Sequence, residues 1–513
     1  MIIISTIASL EIVHADVKAP SIFGDHMVLQ RDREVPVWGL ADPGEEVTVT
    51  IDGECATTRA DDTGHWSVKL PSLLESEHQV EMVVRGKNNL VFRDVLIGDV
   101  WLCSGQSNME FGLNQADNAA EALSKADYPQ IRFFKVGRSA SLDPKDECRG
   151  HWVVCKPDSA DLKAFSAVGY FFGKEIHERQ MIPVGLIGAY WGGTPAQSWT
   201  SLHKLQSVPA LKHYADDFIL TKDNMAALMD EYESKVIPQW EKEVEQWESS
   251  DASNKPEPRR PTPPNADPNK ATMLFNGMIS PIIPFAIKGV IWYQGEANAD
   301  MAEEYATLFP ALINDWRERW HEGDFPFLFV QLASWGKGGP QWPVIRDSQL
   351  KALSLPNTGM AVALDAGDKY TIHPKNKMVV GDRLALAARH IAYGQDIVYS
   401  GPIFKSMQID GNRVAVFFDH VGSGLTVGPV QGPTVNTRNI PPAQELHGFE
   451  IAGPDGKFIP AKAIIDGTTI LVSNESISSP TAVRYAWKDW PDPVANLYNQ
   501  EGLPASPFNS ETR

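Results

Sequence analysis

The pattern of hydrophobic and polar positions changes twice along the chain and divides it into three regions. Between residues 18 and 95, short β-rich runs at 47–51, 66–70 and 79–84 alternate with turns that contain Gly and Asp. Runs of this kind, separated by such turns, are typical of small antiparallel sandwiches. The pattern therefore predicts an N-terminal β domain over residues 18–95.

Between residues 96 and 395, apolar runs alternate with stretches of helical spacing. Strands are predicted at residues 100–103, 131–136, 184–189, 290–293, 327–332 and 361–364, and helices at 167–179, 302–320 and 378–392. This alternation predicts an α/β domain with a doubly wound parallel sheet. Ligands of such sheets bind beyond the carboxyl ends of the strands, so catalytic residues are expected there.

Two further segments complete the predicted organisation. Residues 203–270 carry charged helix-forming residues followed by a proline-rich stretch. They are predicted to be a helical pair with a stiff tail, inserted into the α/β domain. From residue 396 to 513 the β-type runs return, for example at 413–418 and 469–472, and predict a second small β domain.

The N-terminal segment resembles a weak secretory signal. Residues 1–10 are apolar and Val13-His14-Ala15 resembles a cleavage site, although the basic segment that usually comes first is missing. We therefore expect a signal segment over residues 1–17 and a secreted or periplasmic protein, with a cytoplasmic location as the alternative. No other run approaches the ~18 apolar residues that a membrane span requires.

Composition and charge argue against a nucleic-acid partner, a disulfide framework and a metal site. The net charge of −19 and the pI near 5.1 argue against nucleic acid, which needs a basic surface. The four cysteines do not form a disulfide framework, although Cys148 and Cys155 are close enough in sequence to pair. Neither a CxxC pair nor HExxH occurs, so no metal site is predicted. Nothing in the pattern indicates an oligomeric state.

The first strand of the α/β region runs into Gly-Gln-Ser-Asn-Met at residues 105–109 and then into a helical stretch. A serine at such a turn exposes its hydroxyl at the sheet edge, beside helix N-terminal amides that can stabilise an oxyanion. Ser107 is therefore a candidate nucleophile, although a simple helix N-cap has the same sequence context. Ser104 is a weaker alternative because it precedes the turn.

Two other strand ends carry unusual residues. Trp-Gly-Gly-Thr-Pro occupies residues 191–195, where paired glycines let the backbone approach a ligand but also suit a plain tight turn. Trp-Tyr-Gln-Gly-Glu-Ala-Asn occupies residues 292–298, directly after an apolar run. Its side-chain amides are candidate donors to an oxyanion, although polar residues are also ordinary at strand ends.

His373 is the candidate general base. It lies in the loop between the last predicted strand of the α/β region and the helix near residue 378. Imidazole suits acyl transfer because its pKa lies near neutrality. Asp365 and Asp368 are both near enough in sequence to orient the ring, but a loop histidine near a carboxylate is also common on surfaces.

These motifs, with Ile-His-Pro-x-Asn-Lys at residues 372–377 and Asn-Gly-Met-Ile at 276–279, closely resemble the sialate O-acetylesterase family of SGNH-type hydrolases. The resemblance covers nearly the whole chain. It implies a flavodoxin-like, doubly wound α/β core flanked by small β-sandwich-like domains. It also implies a serine esterase that removes acetyl groups from O-acetylated sialic acids through an acyl-enzyme, without a cofactor.

The resemblance assigns roles by position: Ser107 matches the nucleophile and His373 the base. The Ser107 N–H, one of the paired glycines and an amide of the third motif would hold the oxyanion. Gln294 stands where the wider superfamily has its Asn, and we prefer it to Asn298. The residues expected to bind the oxyanion or the substrate are Gly192, Gly193, Gln294, Glu296, Asn298 and Arg346.

One position departs from the superfamily pattern. Many SGNH-type enzymes place an Asp three residues before the histidine, and here Tyr370 occupies that position. The orienting acid is then expected to be Asp368, which lies closest to His373 in sequence, or Asp365. The alternative is a Ser–His dyad without an acid.

The substrate is the main open alternative, because a family resemblance indicates the reaction better than the sugar. An acetylesterase that acts on another glycan, such as acetylated xylan or pectin, is the first alternative. A cation for the sialate carboxylate would distinguish the two, and Arg346 is the candidate. A non-catalytic carbohydrate-binding protein is the alternative from a different class.

Overall fold

The computed structural model describes residues 16–157, 159–249, 256–428 and 445–512. All but the last two residues of the predicted signal segment lie outside this description. No helix within it is both long enough and apolar enough to cross a membrane.

The N-terminal region is built from β-strands, as predicted; they are antiparallel to their partners, except that the first strand runs parallel to the last. Its strands are β1 Val28–Gln30, β2 Val35–Leu40, β3 Glu46–Ile51, β4 Glu54–Arg59, β5 His65–Leu70, β6 Ser76–Arg85 and β7 Asn89–Gly105. The 17-residue β7 pairs with β6 along its first part and enters the central sheet with its second part. The predicted boundary at residues 95 and 96 falls inside this strand, so β1, β3, β4 and β6 share one sheet with the core, whereas β2 and β5 pair with each other in a separate sheet. The division into domains stays a prediction.

The central sheet carries the α/β core. Its further strands are β8 Tyr128–Lys135, β9 Trp152–Cys155, β10 Val184–Tyr190, β11 Gly289–Tyr293, β12 Phe327–Gln331 and β13 Thr358–Val362. They run in the order β13-β12-β11-β7-β10-β8-β9, and only β9 is antiparallel to its neighbour. Every residue of β10, β11 and β12 is buried, as expected for parallel strands covered on both faces. The predicted α/β class with a large sheet is confirmed.

Helices connect and cover these strands. They are α1 Ser107–Glu110, α2 Ala119–Ser124, α3 Ala160–Ala164, α4 Ala167–Gln180, α5 Leu202–Ser207, α6 Lys212–Asp223, α7 Met225–Glu231, α8 Ile237–Ser249, α9 Tyr305–Trp320, α10 Gln341–Leu350 and α11 Lys377–Ile391. The Ser166 hydroxyl accepts the Gly169 N–H at 3.0 Å and caps α4. The predicted insertion at 203–270 is helical, but α5 to α8 form a longer array than the expected pair.

Short helical turns lie between the longer elements. The 3-10 turns are Leu113–Gln115, Ala196–Trp199, Pro209–Leu211, Pro264–Ala266, Ser280–Ile282, Glu296–Met301, Lys351–Ser354, Leu364–Ala366 and Ser510–Thr512, and π-helical turns are Tyr232–Val236 and Phe275–Ile279.

The C-terminal region is again built from strands. They are β14 Ile403–Asp410, β15 Arg413–Asp419, β16 Leu425–Val427, β17 Phe449–Ala452, β18 Phe458–Pro460, β19 Lys462–Asp466, β20 Thr469–Ser473, β21 Ala482–Tyr485, β22 Leu497–Asn499 and β23 Phe508–Asn509. Within the described residues they form the sheets β14-β15-β20-β19 and β18-β17-β21-β23, with β16 paired to β22. The Gln331 amide of the core donates to the Ser506 hydroxyl at 2.9 Å and ties this region to β12.

The cysteines are all free thiols in this structure. Cys155 donates to the Ala126 carbonyl at 3.5 Å, while Cys148 lies 3.7 Å from the Ser21 hydroxyl. The pairing of Cys148 with Cys155 that their spacing allows is therefore not made.

Candidate active site

The sharp turn after β7 exposes Ser107. Gly105 ends the strand with φ at +134°, and a Cβ there would lie 2.2 Å from the Tyr293 carbonyl oxygen, so the turn requires glycine. Helix α1 begins at Ser107 itself. Because the first N–H groups of a helix have no intrahelical acceptor, the Ser107 N–H is available to a ligand at this edge of the sheet.

His373 lies in the loop between β13 and α11 and contacts Ser107. Its Nε2 atom lies 2.8 Å from the Ser107 hydroxyl oxygen, which is hydrogen-bond distance. The ring is half-buried, and both this burial and the nearby Lys377 ammonium lower the pKa of His373. A neutral imidazole in this position can accept the serine proton. The predicted partners, separated by 266 positions in sequence, are thus brought together.

Asp365 does not orient His373, and this expectation is wrong. Its carboxylate forms a two-pronged ion pair with Arg383 of α11, with oxygen–nitrogen distances of 2.6 and 2.8 Å. The Tyr498 hydroxyl donates to it at 3.1 Å. An arginine on the helix that follows the loop therefore holds the carboxylate away from the imidazole.

Asp368 does not orient His373 either. Its Oδ1 atom accepts the backbone N–H groups of Tyr370 and Thr371 at 2.7 and 3.2 Å, so it builds the turn. Tyr370, at the position where the superfamily has its Asp, is 83% exposed. Within the described part of the chain, the His373 ring has Ser107 as its hydrogen-bond partner, so the geometry is that of a dyad.

The paired glycines lie directly beside Ser107. A Cβ on Gly192 would lie 3.2 Å from the Ser107 Cβ, and Gly193 has φ at +79°. The Gly192 N–H, however, donates to the Glu110 carboxylate at 2.8 Å, and Arg138 pairs with the other oxygen of that carboxylate. The glycines thus lie beside Ser107, but the Gly192 N–H is already occupied by Glu110, a residue outside the predicted set, and the role of the pair in holding an oxyanion stays a prediction.

The side-chain amides of Gln294 and Asn298 are bonded to each other and to neighbouring protein groups, which corrects their predicted role. The Gln294 amide donates to the Asn298 oxygen at 2.7 Å, and its oxygen accepts the Tyr305 hydroxyl at 2.9 Å. Asn298 in turn donates to Gln197 at 2.9 Å and accepts the Ala196 N–H at 2.9 Å. Both amides are fully buried. They therefore support the loop that follows the paired glycines rather than donate to an oxyanion.

Arg346 is a structural residue and not a substrate cation, so this expectation is also wrong. It is completely buried, and its guanidinium donates to the carbonyls of Leu332, Ala333 and Lys488 at 2.8 to 2.9 Å. It thereby joins the end of β12 to the C-terminal region. Burial lowers its pKa to about 9.

Glu296 reaches Ser107 only through an intermediate residue. The Asn108 amide donates to Glu296 at 2.5 Å and to the Ile372 carbonyl at 3.0 Å. The Lys377 ammonium donates to the Asn108 oxygen at 2.5 Å. Asn108 and Lys377 stand inside two of the predicted motifs, but no spacing in the sequence indicates that their side chains meet behind the nucleophile.

A cleft of about 410 Å³ opens above the dyad, with Ser107, Glu110, Phe111, Asn114, Lys135 and His373 among its lining residues. Lys135 ends β8, and its ammonium lies 5.6 Å above the ring of Tyr190. No acidic side chain among the described residues pairs with it. Those residues also contain no cluster of His, Cys, Asp and Glu that could hold a metal ion. The cleft thus offers a hydroxyl, an imidazole and a cation to a ligand.

Comparison with known proteins defines the class. A family model described as carbohydrate esterase, sialic acid-specific acetylesterase matches residues 269–390. The solved structure of a carbohydrate acetylesterase from Xanthomonas citri is 37% identical with a TM-score of 0.79, and the match covers 97% of this chain and 100% of that one. The chain is therefore a hydrolase of the carbohydrate esterase class.

Full-length relatives define the family. Mouse sialate O-acetylesterase is 31% identical over 535 residues, covering 95% of this chain and 93% of the mouse protein. The human sialate O-acetylesterase is 30% identical over 536 residues, with 95% and 91% covered. The chain belongs to the sialate O-acetylesterase family, which confirms the resemblance seen in its motifs.

Proposed function

We propose that this protein removes O-acetyl groups from sialic acids, with Ser107 as nucleophile and His373 as general base. The contact of 2.8 Å between the Ser107 hydroxyl and the His373 Nε2 atom carries the proposal. The contact lies in an open cleft at the carboxyl end of a central parallel strand, where such sheets bind their ligands. Family membership supports the carbohydrate ester as substrate.

The proposed reaction has two halves. His373 accepts the Ser107 proton while the serine oxygen attacks the acetyl carbonyl, and the tetrahedral intermediate collapses as the protonated imidazole gives its proton to the departing sugar oxygen. Water then attacks the acetyl-enzyme while His373 takes its proton, and the imidazolium returns that proton to the Ser107 oxygen as acetate leaves. The Ser107 N–H and the turn at Gly193 are the backbone donors proposed for the oxyanion, since Glu110 occupies the Gly192 N–H.

We further interpret the core as the SGNH-type form of the flavodoxin-like fold. With β8 and β9 counted as edge additions, the strands β10-β7-β11-β12-β13 stand in the order 2-1-3-4-5. This is the order of flavodoxin-like sheets. It places the serine strand between the strands that carry the Gly-Gly and Gln-Gly-Glu motifs, which supports the positions matched in the sequence.

Lys135 is the proposed recognition group for the sialate carboxylate, replacing Arg346. In a protein with a net charge of −19, an anionic sugar needs a local cation, and Lys135 lines the cleft. We expect Lys135→Met to raise KM for an O-acetylated sialic acid about tenfold, the value of one charge-assisted hydrogen bond, while a neutral acetylated sugar is unaffected. Steady-state kinetics on both substrates measures this difference.

The exposed Lys405, which pairs with Asp419 in the C-terminal region, supplies the matched control as Lys405→Met. Its KM should match wild type for both sugars. Faster hydrolysis of acetylated xylan fragments than of acetylated sialic acid, with no Lys135 effect, would favour the other-glycan alternative and contradict the sialate assignment.

The rate should rise with pH through one ionisation that lies below the usual histidine value. Burial and the Lys377 ammonium both disfavour the imidazolium, so the pKa of His373 is lowered and the base is already neutral at pH 7. A profile of kcat/KM against pH on p-nitrophenyl acetate should therefore level off by neutrality. An acid limb centred at or above the ordinary value near ~6.5 would contradict His373 in this environment as the base.

A further inference from the structure

A buried polar cluster lies directly behind the dyad. This Asn108 cluster consists of the side chains of Asn108, Glu296 and Lys377. Asn108 is 2% and Lys377 is 1% exposed, and one buried oxygen of the Glu296 carboxylate has no hydrogen-bond partner among the described residues. Burying a lysine and a glutamate costs free energy that apolar residues would not cost. Stability alone therefore gives little reason for this cluster.

The location of Lys377 adds a second cost. It is the first residue of α11, where the helix dipole disfavours a cation. Its ammonium is held against the rings of Phe111 and Tyr293, at 4.8 and 5.3 Å from their centres, and donates to Asn108. The position is therefore well defined in space despite being electrostatically unfavourable.

Asn108 links three segments that must be aligned for catalysis. It follows Ser107 directly, it donates to the carbonyl of Ile372, and Ile372 directly precedes His373. Its second acceptor is Glu296, at the start of the short turn after β11. The Asn108 amide thus fixes the serine turn relative to the histidine loop. Lys377 in turn holds this amide by donating a hydrogen bond to its oxygen.

We propose that Asn108, held by Lys377 and Glu296, is the positioning residue that sets the Ser107–His373 geometry in place of an orienting carboxylate. The proposal rests on the proposed roles of Ser107 and His373. It accounts for an imidazole that meets no acid within the described part of the chain, because the loop that carries His373 is held through its backbone rather than through its Nδ1 atom.

The charge of Lys377 gives the cluster a second, measurable effect. The charged groups near the dyad are Lys377 behind it, with Glu296 facing Lys377, and Glu110 and Lys135 along the cleft. Lys377 is the one whose charge acts on the pKa of His373, and it lowers it. Burial lowers the pKa of Lys377 itself to about 7, so it is cationic at the acidic pH where His373 titrates.

The first test is Asn108→Ala, with kcat and KM measured on p-nitrophenyl acetate. Loss of the link should lower kcat about 10²-fold with little change in KM, since a displacement of about 1 Å between reacting groups costs that much. Asn108→Asp, which keeps the shape and the Lys377 contact but loses both donors, should show the same split and serves if the alanine variant does not fold. Wild-type kcat in a folded variant would overturn the proposal.

The second test reads His373 without using activity. In protein with labelled histidines, NMR titration should show a higher His373 pKa in Lys377→Met than in wild type, and Lys377→Arg should restore the wild-type value. His373→Gln assigns the signal. An unchanged pKa in Lys377→Met would overturn the electrostatic effect of Lys377 on His373, whereas the kcat of Asn108→Ala decides the positioning role of Asn108.

Lys204→Met is the matched control for burying and removing a lysine. Lys204 is 9% exposed, and its ammonium pairs with Glu318 at 2.6 Å on α9. This variant should lose stability without moving the His373 pKa or kcat. If Ser107→Ala keeps its activity, the proposed function fails, whereas the NMR result still decides whether Lys377 acts on His373.

Discussion

Ser107→Ala is expected to lower kcat for acetyl-ester hydrolysis by at least ~10³-fold, with a thermal unfolding midpoint close to that of wild type. The hydroxyl is the atom that His373 contacts and the atom that the cleft exposes. Removing it leaves the oxyanion donors and the binding surface, which account for the residual rate. Hydrolysis of p-nitrophenyl acetate and of an O-acetylated sugar, compared at saturation, measures the loss.

Ser104→Ala is the matched control, because Ser104 is the other serine of the motif and lies at the end of β7, just before the turn. It is completely buried, and its hydroxyl donates to the Ala189 carbonyl at 2.5 Å, away from the cleft. We expect it to cost about 1 kcal/mol of stability and to leave kcat nearly unchanged. A variant pair in which Ser104→Ala is inactive and Ser107→Ala is active would reverse the assignment of the nucleophile.

The sheet could be predicted because its strands carry a strong local signal. Runs such as residues 184–189 and 290–293 are apolar at every position, and parallel strands buried on both faces require this. Because these strands are parallel, their carboxyl ends lie at the same edge of the sheet. The pairing of Ser107 with His373 could be predicted because their motifs resemble those of a known family, although 266 positions separate the two residues.

The orienting acid could not be predicted, because nearness in sequence does not determine which charge a carboxylate meets. Asp365 and Asp368 precede His373 by a few residues, yet one is taken by Arg383 and the other by the loop's own N–H groups. The sequence does not indicate that Arg383 pairs with Asp365, or that Asp368 accepts the N–H groups of its own turn. The contact proposed to replace the orienting acid runs from Asn108 to the carbonyl of Ile372. Because its acceptor is a backbone atom, the pattern of side chains in the sequence does not indicate it.

Residues with the right chemistry were also misassigned where burial decided their role. Arg346 is a cation and Gln294 an amide, as substrate binding requires, but both are completely buried and hydrogen-bonded to the protein. Lys135 and Glu110 line the cleft instead. The spacing of residues along a helix or strand does not show which of these side chains are buried and which line the cleft. That difference depends on how the loops at the end of the sheet pack.

Asp365→Ala is expected to lower the free energy of unfolding by about 3–5 kcal/mol, the cost of leaving one charge of a buried ion pair without its partner. The side chains of Asp365 and Arg383 are 1% and 2% exposed, so water cannot replace the lost carboxylate. The variant loses both carboxylate contacts of the Arg383 guanidinium, while the bond of that guanidinium to the Val362 carbonyl, at 2.7 Å, remains. Urea unfolding of this variant and of wild type measures the loss, provided that both proteins unfold in one transition.

Asp368→Ala is the comparison that separates stability from catalysis. Asp368 accepts two loop N–H groups at a partly exposed position, so we expect its removal to cost about 1 kcal/mol. If Asp365 were the orienter of His373 after all, its loss would lower the pKa of the imidazole, since a carboxylate stabilises the charged ring. A folded Asp365→Ala enzyme with wild-type stability, a kcat reduced about 10³-fold and a lowered His373 pKa would therefore replace the dyad with a triad. Full kcat per folded molecule in both variants would establish that the ion pair with Arg383 serves the fold and leaves His373 to the backbone contacts behind it.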